Sequence, residues 1–248
     1  MAGEPAISAF GDAAILVELE PLATAGEPAA GEAGAGRPTD PGVALLASTA
    51  AAQALASRIR SATEGLAGFG AAVPAASSVL VHLDPTGASG GVDGEIDDLR
   101  RVVEGFDVET AGWPPGGSTL EVPVRYGGAD GPDLDVVAEL TGLSRSAVVE
   151  LHASIEYRVL FLGFAPGFGY LGPLPVGLVL PRRASPRVRV PAGSVAIAGQ
   201  HTAIYPVESP GGWHLLGRTR VAMWDSRGSP PALLEPGMVV RFVPEGCS

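Results

Sequence analysis

Lysine is absent from this chain of 248 residues, whose 16 basic residues are all arginine. That absence excludes a Walker-A phosphate loop, a Schiff-base lysine and a biotinylated lysine on this polypeptide. Cysteine is almost absent too. Cys247 stands alone beside the C-terminus, so neither an internal disulfide nor a cysteine-based metal site can form. The opening MAGEPAISAFGD has neither the basic nor the apolar region of a signal peptide. The longest apolar stretch, residues 43–56, is mostly alanine and is interrupted by Ser48, Thr49 and Gln53. It is expected to be too short and too weak to span a bilayer. A cytoplasmic protein with no membrane contact is expected. No His/Asp/Glu grouping has the spacing of a transition-metal site, so no metal is expected on the chain itself.

Positive charge is scarce and unevenly placed. The formal net charge is −11, which argues against nucleic acid as a partner because that needs a basic face. Residues 1–119 carry 16 acids against 5 arginines, and residues 120–157 carry 7 against 2. Residues 158–248 reverse the balance, with 4 acids against 9 arginines. A basic C-terminal third fits an anionic small molecule or an acidic partner. At 46% hydrophobic and 17% charged residues the composition is that of a folded chain.

Residues 13–19 read as a buried strand, 43–64 as a helix, 78–83 as a strand with a weaker one at 71–74, and 95–104 as a helix. That β-α-β-β-α run predicts an N-terminal ferredoxin-like βαββαβ domain over residues 1–112. Residues 21–42, rich in Ala, Gly, Pro and Glu, predict a flexible insertion. The Pro/Gly segment 111–118 (AGWPPGGS) marks the boundary. Beyond it, over residues 119–248, come a strand at 120–126, a helix capped by Asp133 and another capped by Ser144. From Tyr157 onward short strands alternate with turns and predict a small β-barrel. The fold class expected is α+β.

The most informative stretch runs from His152 to Thr219: HASIEYRVLFLGFAPGFGYLG, then PRRASPRVRVPAGSVAIAG, then IYPVESPGGWHLLGRT. Glycine and proline at this density specify loop shapes. These blocks, with EVPVRYGG at 121–128, resemble the family of the 5-oxoprolinase B subunit, also called allophanate hydrolase subunit 1 or KipI-like. The resemblance implies a cyclophilin-like fold for the barrel. It also implies one component of an ATP-dependent 5-oxoprolinase, acting on 5-oxoproline with a KipA-like C subunit and a separate A subunit. ATP would bring Mg as its counter-ion. Two rival activities stay open: inhibition of a sensor histidine kinase, and half of a biotin-dependent urea carboxylase.

Candidate residues follow. His152 closes a helix, where it could complement the macrodipole or serve as a general base; the resemblance places a histidine in this block. Gly163, Phe164, Pro166, Gly167 and Phe168 form a loop that could aim amides at an anion or make a rigid barrel corner. Arg182, Arg183, Arg187 and Arg189 form the densest basic cluster, and guanidinium forks bind carboxylate or phosphate bidentately. The resemblance singles out Arg182 and Arg187, which follow prolines. Pro191, Gly193, Ser194, Gln200, His201, Glu208, Gly211, Gly212 and Trp213 lie in turns that could present groups to a substrate or nucleotide. At His201, Ala203 and Met238 the chain departs from the family's glutamine, glycine and aspartate.

Overall fold

The computed structural model describes residues 5–11, 13–19, 40–84, 86, 92–113 and 117–246. Residues 21–39 of the expected insertion, and Cys247, lie outside the described residues. The chain divides into two compact units, Met1–Pro115 and Gly116–Ser248.

In the first unit the strands are β1 (Ala6–Ala9), β2 (Ala14–Glu18), β3 (Phe69–Pro74) and β4 (Ser78–Leu83), with helices α1 (Pro41–Thr63) and α2 (Val92–Val103). The sheet order is β1-β2-β4-β3, antiparallel throughout. Residues 40–42, expected at the end of the insertion, instead start α1. The Asp40 carboxylate accepts from the Gly42 N–H at 2.7 Å, and Pro41 opens the helix. Ala52, Leu55, Ala56 and Ile59 of α1 are buried in one core with Ile15 and Val17 of β2 and Val79 and Val81 of β4. By length and composition α1 could cross a membrane, against the expectation from residues 43–56, yet 56% of its apolar window is buried in this core. Its hydroxyl residues do not interrupt it, because Thr49 and Thr63 donate to the Leu45 and Ile59 carbonyls of the same helix.

The expected βαββαβ order is not the one found. Among the described residues the order is ββαββα, and β1 holds the edge beside β2 that a strand after α2 would have filled. Nothing in its pattern announces β1: its four residues alternate no apolar face, three being exposed and one half-buried.

The second unit is a closed barrel of seven strands in the order β10-β7-β6-β13-β5-β12-β9, with β9 returning to β10. These are β5 (Thr119–Tyr126), β6 (Glu156–Leu162), β7 (Gly169–Gly172), β9 (Ser194–Ala198), β10 (His201–Ile204), β12 (His214–Arg218) and β13 (Val239–Pro244). Only β5 and β13 run parallel. Helices α3 (Leu134–Thr141) and α4 (Arg145–Ala153) pack into the barrel core through Val137, Val148 and Val149. Ser144 caps α4 by accepting from the Ala147 N–H at 3.1 Å, as its position predicts. A separate two-stranded sheet pairs β8 (Arg187–Val190) with β11 (Ser209–Gly211). Val190 of β8 packs with Phe168, Ala196, Ala203, Tyr205, Trp213 and Leu215 in a core distinct from the barrel's own. The candidate site is built on that layer.

Candidate functional site

His152 is fully buried, and both of its ring nitrogens are engaged. Nε2 lies 3.0 Å from Thr202 Oγ1, whose hydroxyl donates to the Ala196 carbonyl at 3.1 Å. Thr202 must therefore accept, so Nε2 carries the proton and Nδ1 accepts from the Tyr126 hydroxyl at 2.7 Å. The ring stacks on Phe242 at 4.7 Å. Burial pushes its pKa down to about 3, so the imidazole is neutral at ordinary pH. The same burial pushes the Tyr126 phenol well above its usual value. The expectation of a general base meets a side chain with no exposed surface; His152 ties α4 to β5 and β10.

A second buried group reorganises the arginine cluster. Asp133 is expected to cap α3, but its side chain makes no cap bond. Instead it accepts two bonds from Arg187, at 2.7 and 2.8 Å, and one from Arg183 at 2.8 Å. The Leu215 N–H adds a fourth at 2.7 Å. Burial by itself pushes this carboxyl up. The Arg187 and Leu215 hydrogen bonds and the charges of both arginines outweigh it and hold the pKa below the usual aspartate value. Arg187, expected to bind a substrate anion, is thus committed to Asp133. Arg189 pairs with Glu208 at 2.6 Å, which takes Glu208 out of the ligand set as well.

Arg182 is what remains. It is exposed and has no hydrogen-bond or ion-pair partner among the described residues. Its backbone is held on both sides: the Pro181 carbonyl accepts from His214 Nε2 at 3.0 Å, and the Arg183 N–H donates to Gly212 O at 2.8 Å. The result is a free guanidinium on a pinned segment. Beside it lie Tyr170, His201 and Tyr205. Burial raises both phenols, and the Arg182 charge pulls them partly back. Burial first and Arg182 second hold His201 down to about 4, leaving it neutral. His201 Nε2 and Gln200 Oε1 are buried without a partner. Unsatisfied polar atoms of this kind are costly and call for an explanation such as a ligand.

The loop 163–168 roofs this face. Its amides close on themselves: Gly163 N–H donates to Phe168 O, Ala165 N–H to Gly163 O and Phe168 N–H to Ala165 O. The cradle of amides expected there is not formed by these three; the alternative reading, a rigid corner, holds for them. Gly167 has a φ of +79° and packs its Cα against the Met223 carbonyl, a place no side chain could occupy. Pro166 and Phe164 point to solvent. Phe164 is 61% exposed at a φ of 68°, which an L-residue other than Asn or Asp seldom adopts. Phe168, packed at 5.8 Å against Trp213, belongs to the buried layer. Phe161 and Tyr170 stack at 4.4 Å and flank His201.

Of the predicted set the structure therefore places Arg182 near His201, leaves Gln200 Oε1 and His201 Nε2 unpartnered, and sets Phe164 against Phe168 and Tyr205. Gly211 and Gly212 line the segment that holds Arg183. Pro191, Gly193 and Ser194 sit at the other end of β9 from Gln200 and do not join the group. Sequence reasoning missed Asp133 as an ion-pair centre, Tyr126 and Thr202 as partners of His152, and His214 as the pin on Pro181. The only trace of Asp133 was an acid at a helix start, which reads equally well as a cap.

A family described as "Carboxyltransferase domain, subdomain C and D" matches residues 5–234. The protein from Escherichia coli O157:H7 named as the B subunit of 5-oxoprolinase is 52% identical over 150 residues, covering 60% of this chain and 68% of that one. A protein of the same name from Bacillus subtilis is 40% identical over 188 residues, covering 71% and 75%. A crystal structure of the Kluyveromyces lactis urea carboxylase superposes with a TM-score of 0.68 at 20% identity, so the likeness is one of fold. This chain spans 98% of its own length there but only 22% of that longer protein. The chain belongs to the family of carboxyltransferase domains, subdomains C and D, and is related within it to the proteins named as B subunits of 5-oxoprolinase.

Proposed function

We propose that this chain is the B subunit of an ATP-dependent 5-oxoprolinase of the cytoplasm, inactive alone and working with a KipA-like C subunit. A separate A subunit would complete the ring opening to glutamate. A lactam is a poor electrophile at neutral pH, and transfer of a phosphoryl group from ATP to its oxygen makes the ring carbon open to attack. The protein's part is then to position the substrate and to offset developing charge. The carrying observation is the pinned guanidinium of Arg182, without a hydrogen-bond or ion-pair partner among the described residues, near His201 with its unpartnered Nε2, and the unpartnered Gln200 Oε1 one residue earlier in the chain, in a relative of proteins named as 5-oxoprolinase B subunits. Arg182 would take the carboxylate of 5-oxoproline, and the Gln200 carbonyl would accept its ring N–H. Phe161, Phe164 and Tyr170 would exclude water. With no lysine in the chain, phosphate contacts fall to arginine and main-chain amides, and Mg would arrive with the nucleotide.

Relatedness to urea amidolyase, 33% identical over 124 residues in the Saccharomyces cerevisiae protein, favours carboxyl transfer as the second reading. Co-expression with the candidate C subunit decides between them. 5-Oxoproline-dependent ATP hydrolysis by the complex is the expected result. A stable complex whose ATP turnover ignores 5-oxoproline would overturn the reading.

A further inference from the structure

We propose that a cleft at the Ser194 end of β9 is a second anion site, built for a ligand carrying two or more adjacent phosphoryl groups. The cleft has a volume of about 480 Å³ and is lined by Arg125, Arg218 and Arg220 together with Gly193 and Thr219. Arg125 and Arg218 are direct partners in the register between β5 and β12. Like charges placed opposite each other across two strands destabilise the pair, and an anion between the guanidiniums removes that cost.

The three arginines differ in how they are held. Arg218 Nε donates to the Ala192 carbonyl at 2.8 Å, which restrains the fork, and its terminal nitrogens have no partner among the described residues. Arg125 faces a single carboxylate, Asp130, at 3.3 Å. Arg220 is exposed and has no partner among the described residues. The floor is rigid: Gly193, at a φ of +81°, lies against Thr219, whose N–H donates to the Gly193 carbonyl at 2.9 Å.

The charge balance selects the ligand. Three guanidiniums against one carboxylate leave an excess of two positive charges, more than a lone carboxylate neutralises. Arginine forks match phosphate oxygens in geometry. Among the described residues no aromatic ring lines the cleft, which therefore suits the charged end of a ligand better than a base. Under the 5-oxoprolinase reading, and resting on it, this is where the chain would hold the phosphates of the nucleotide. Oligophosphate binding itself does not depend on that reading.

The test is calorimetric titration of the purified full chain with inorganic pyrophosphate and with Mg-ATP at fixed ionic strength, alongside thermal melts. Pyrophosphate should bind, and Arg220→Gln and Arg125→Gln should each weaken it about tenfold or more, the loss of one charge-assisted contact. Arg182→Gln should leave it unchanged. Without anion, Arg125→Gln should melt above wild type, because the opposed charges are gone; it should also lose the rise that pyrophosphate gives wild type. No binding, or wild-type binding in both cleft variants, overturns the proposal, as does loss of binding in Arg182→Gln. Tighter binding of a polyglutamate peptide than of pyrophosphate also overturns it, making the cleft a protein contact. Retained pyrophosphate binding with no 5-oxoproline-dependent turnover would sink only the proposed function.

Discussion

Two of the barrel unit's three histidines meet at Thr202, His152 by a hydrogen bond and His201 as its neighbour in the chain, and live by opposite rules. Inside, His152 has both nitrogens satisfied, by Tyr126 and Thr202, and aromatic rings on its faces. Outside, against Phe161 and Tyr170, His201 keeps a buried nitrogen with no partner, and the preceding residue, Gln200, keeps an equally unpartnered oxygen. The arginines divide the same way: Arg183 and Arg187 are spent on Asp133, while Arg182 is spent on nothing among the described residues. Polar groups that close a network among themselves hold the fold. Polar groups left open on a pinned scaffold are available to a ligand.

The sharpest way to break this comparison is at Asp133. Asp133→Ala should destabilise the barrel unit by about 3–5 kcal/mol, because it strands two half-buried guanidiniums and the Leu215 N–H. Denaturant unfolding measures it, and a loss under about 1 kcal/mol would place the cluster with ordinary surface pairs. The carboxyl's pKa is held below its unfolded value. Its contribution is therefore present above the ordinary aspartate pKa, near 4, and is lost as pH falls below that value.

Arg182 should behave in the reverse manner. Arg182→Lys and Arg182→Ala should both cost on the order of 2–4 kcal/mol in kcat/KM of the reconstituted complex, since lysine loses the planar fork. Unfolding should be nearly unchanged for an exposed side chain without a partner among the described residues. Wild-type kinetics in both variants would return Arg182 to the solvated surface. Arg187→Ala, by contrast, should show its effect in stability first.

Phe164 offers a smaller effect of the same kind. Phe164→Gly removes an exposed ring and relieves a left-handed backbone, so the barrel unit should gain about 1 kcal/mol while kcat/KM falls. A melt that drops instead would mean that the ring's contacts with Phe168 and Tyr205 outweigh the strain.

The histidines themselves give the finest test, by NMR titration. Arg182→Ala should raise the His201 pKa from about 4 but leave it below the ordinary 6.5, because burial is the larger cause. His152, at about 3 through burial alone, should not respond. Both values are depressed, so the unfolded chain binds these protons first and stability declines as pH falls below about 6.5. A shift of His152 in the Arg182 variant would show that the two regions are coupled.

Much of the architecture is readable in the residues. Ser144 caps its helix, the short fenced runs after Tyr157 become barrel strands, β2 and β4 fall on the runs at 13–19 and 78–83, and β5 falls where alternation puts it. β1 is illegible, because an exposed edge strand of four residues has no face to alternate. In the candidate site Arg182, Gln200, His201 and Phe164 are all legible, but mixed with residues that serve the scaffold. Spacing cannot separate Arg182 from Arg187, which follow prolines in the same extended segment.

The sequence by itself determined the chemistry available: arginine as the sole cation besides histidine, no thiol framework, a basic C-terminal third, and turns dense enough to build shaped loops. Hydrophobic period and turn residues act over a few neighbours, so they carried through to strands, caps and the barrel. Which arginine is free, which histidine is sealed, and which pair of like charges is forced face to face were decided only by the fold. Asp133 meets Arg187 across 54 positions, His152 meets Thr202 across 50, and Arg125 meets Arg218 through strand register. Partners that far apart in the chain leave no periodic trace, because their pairing is set by barrel closure and not by local conformation.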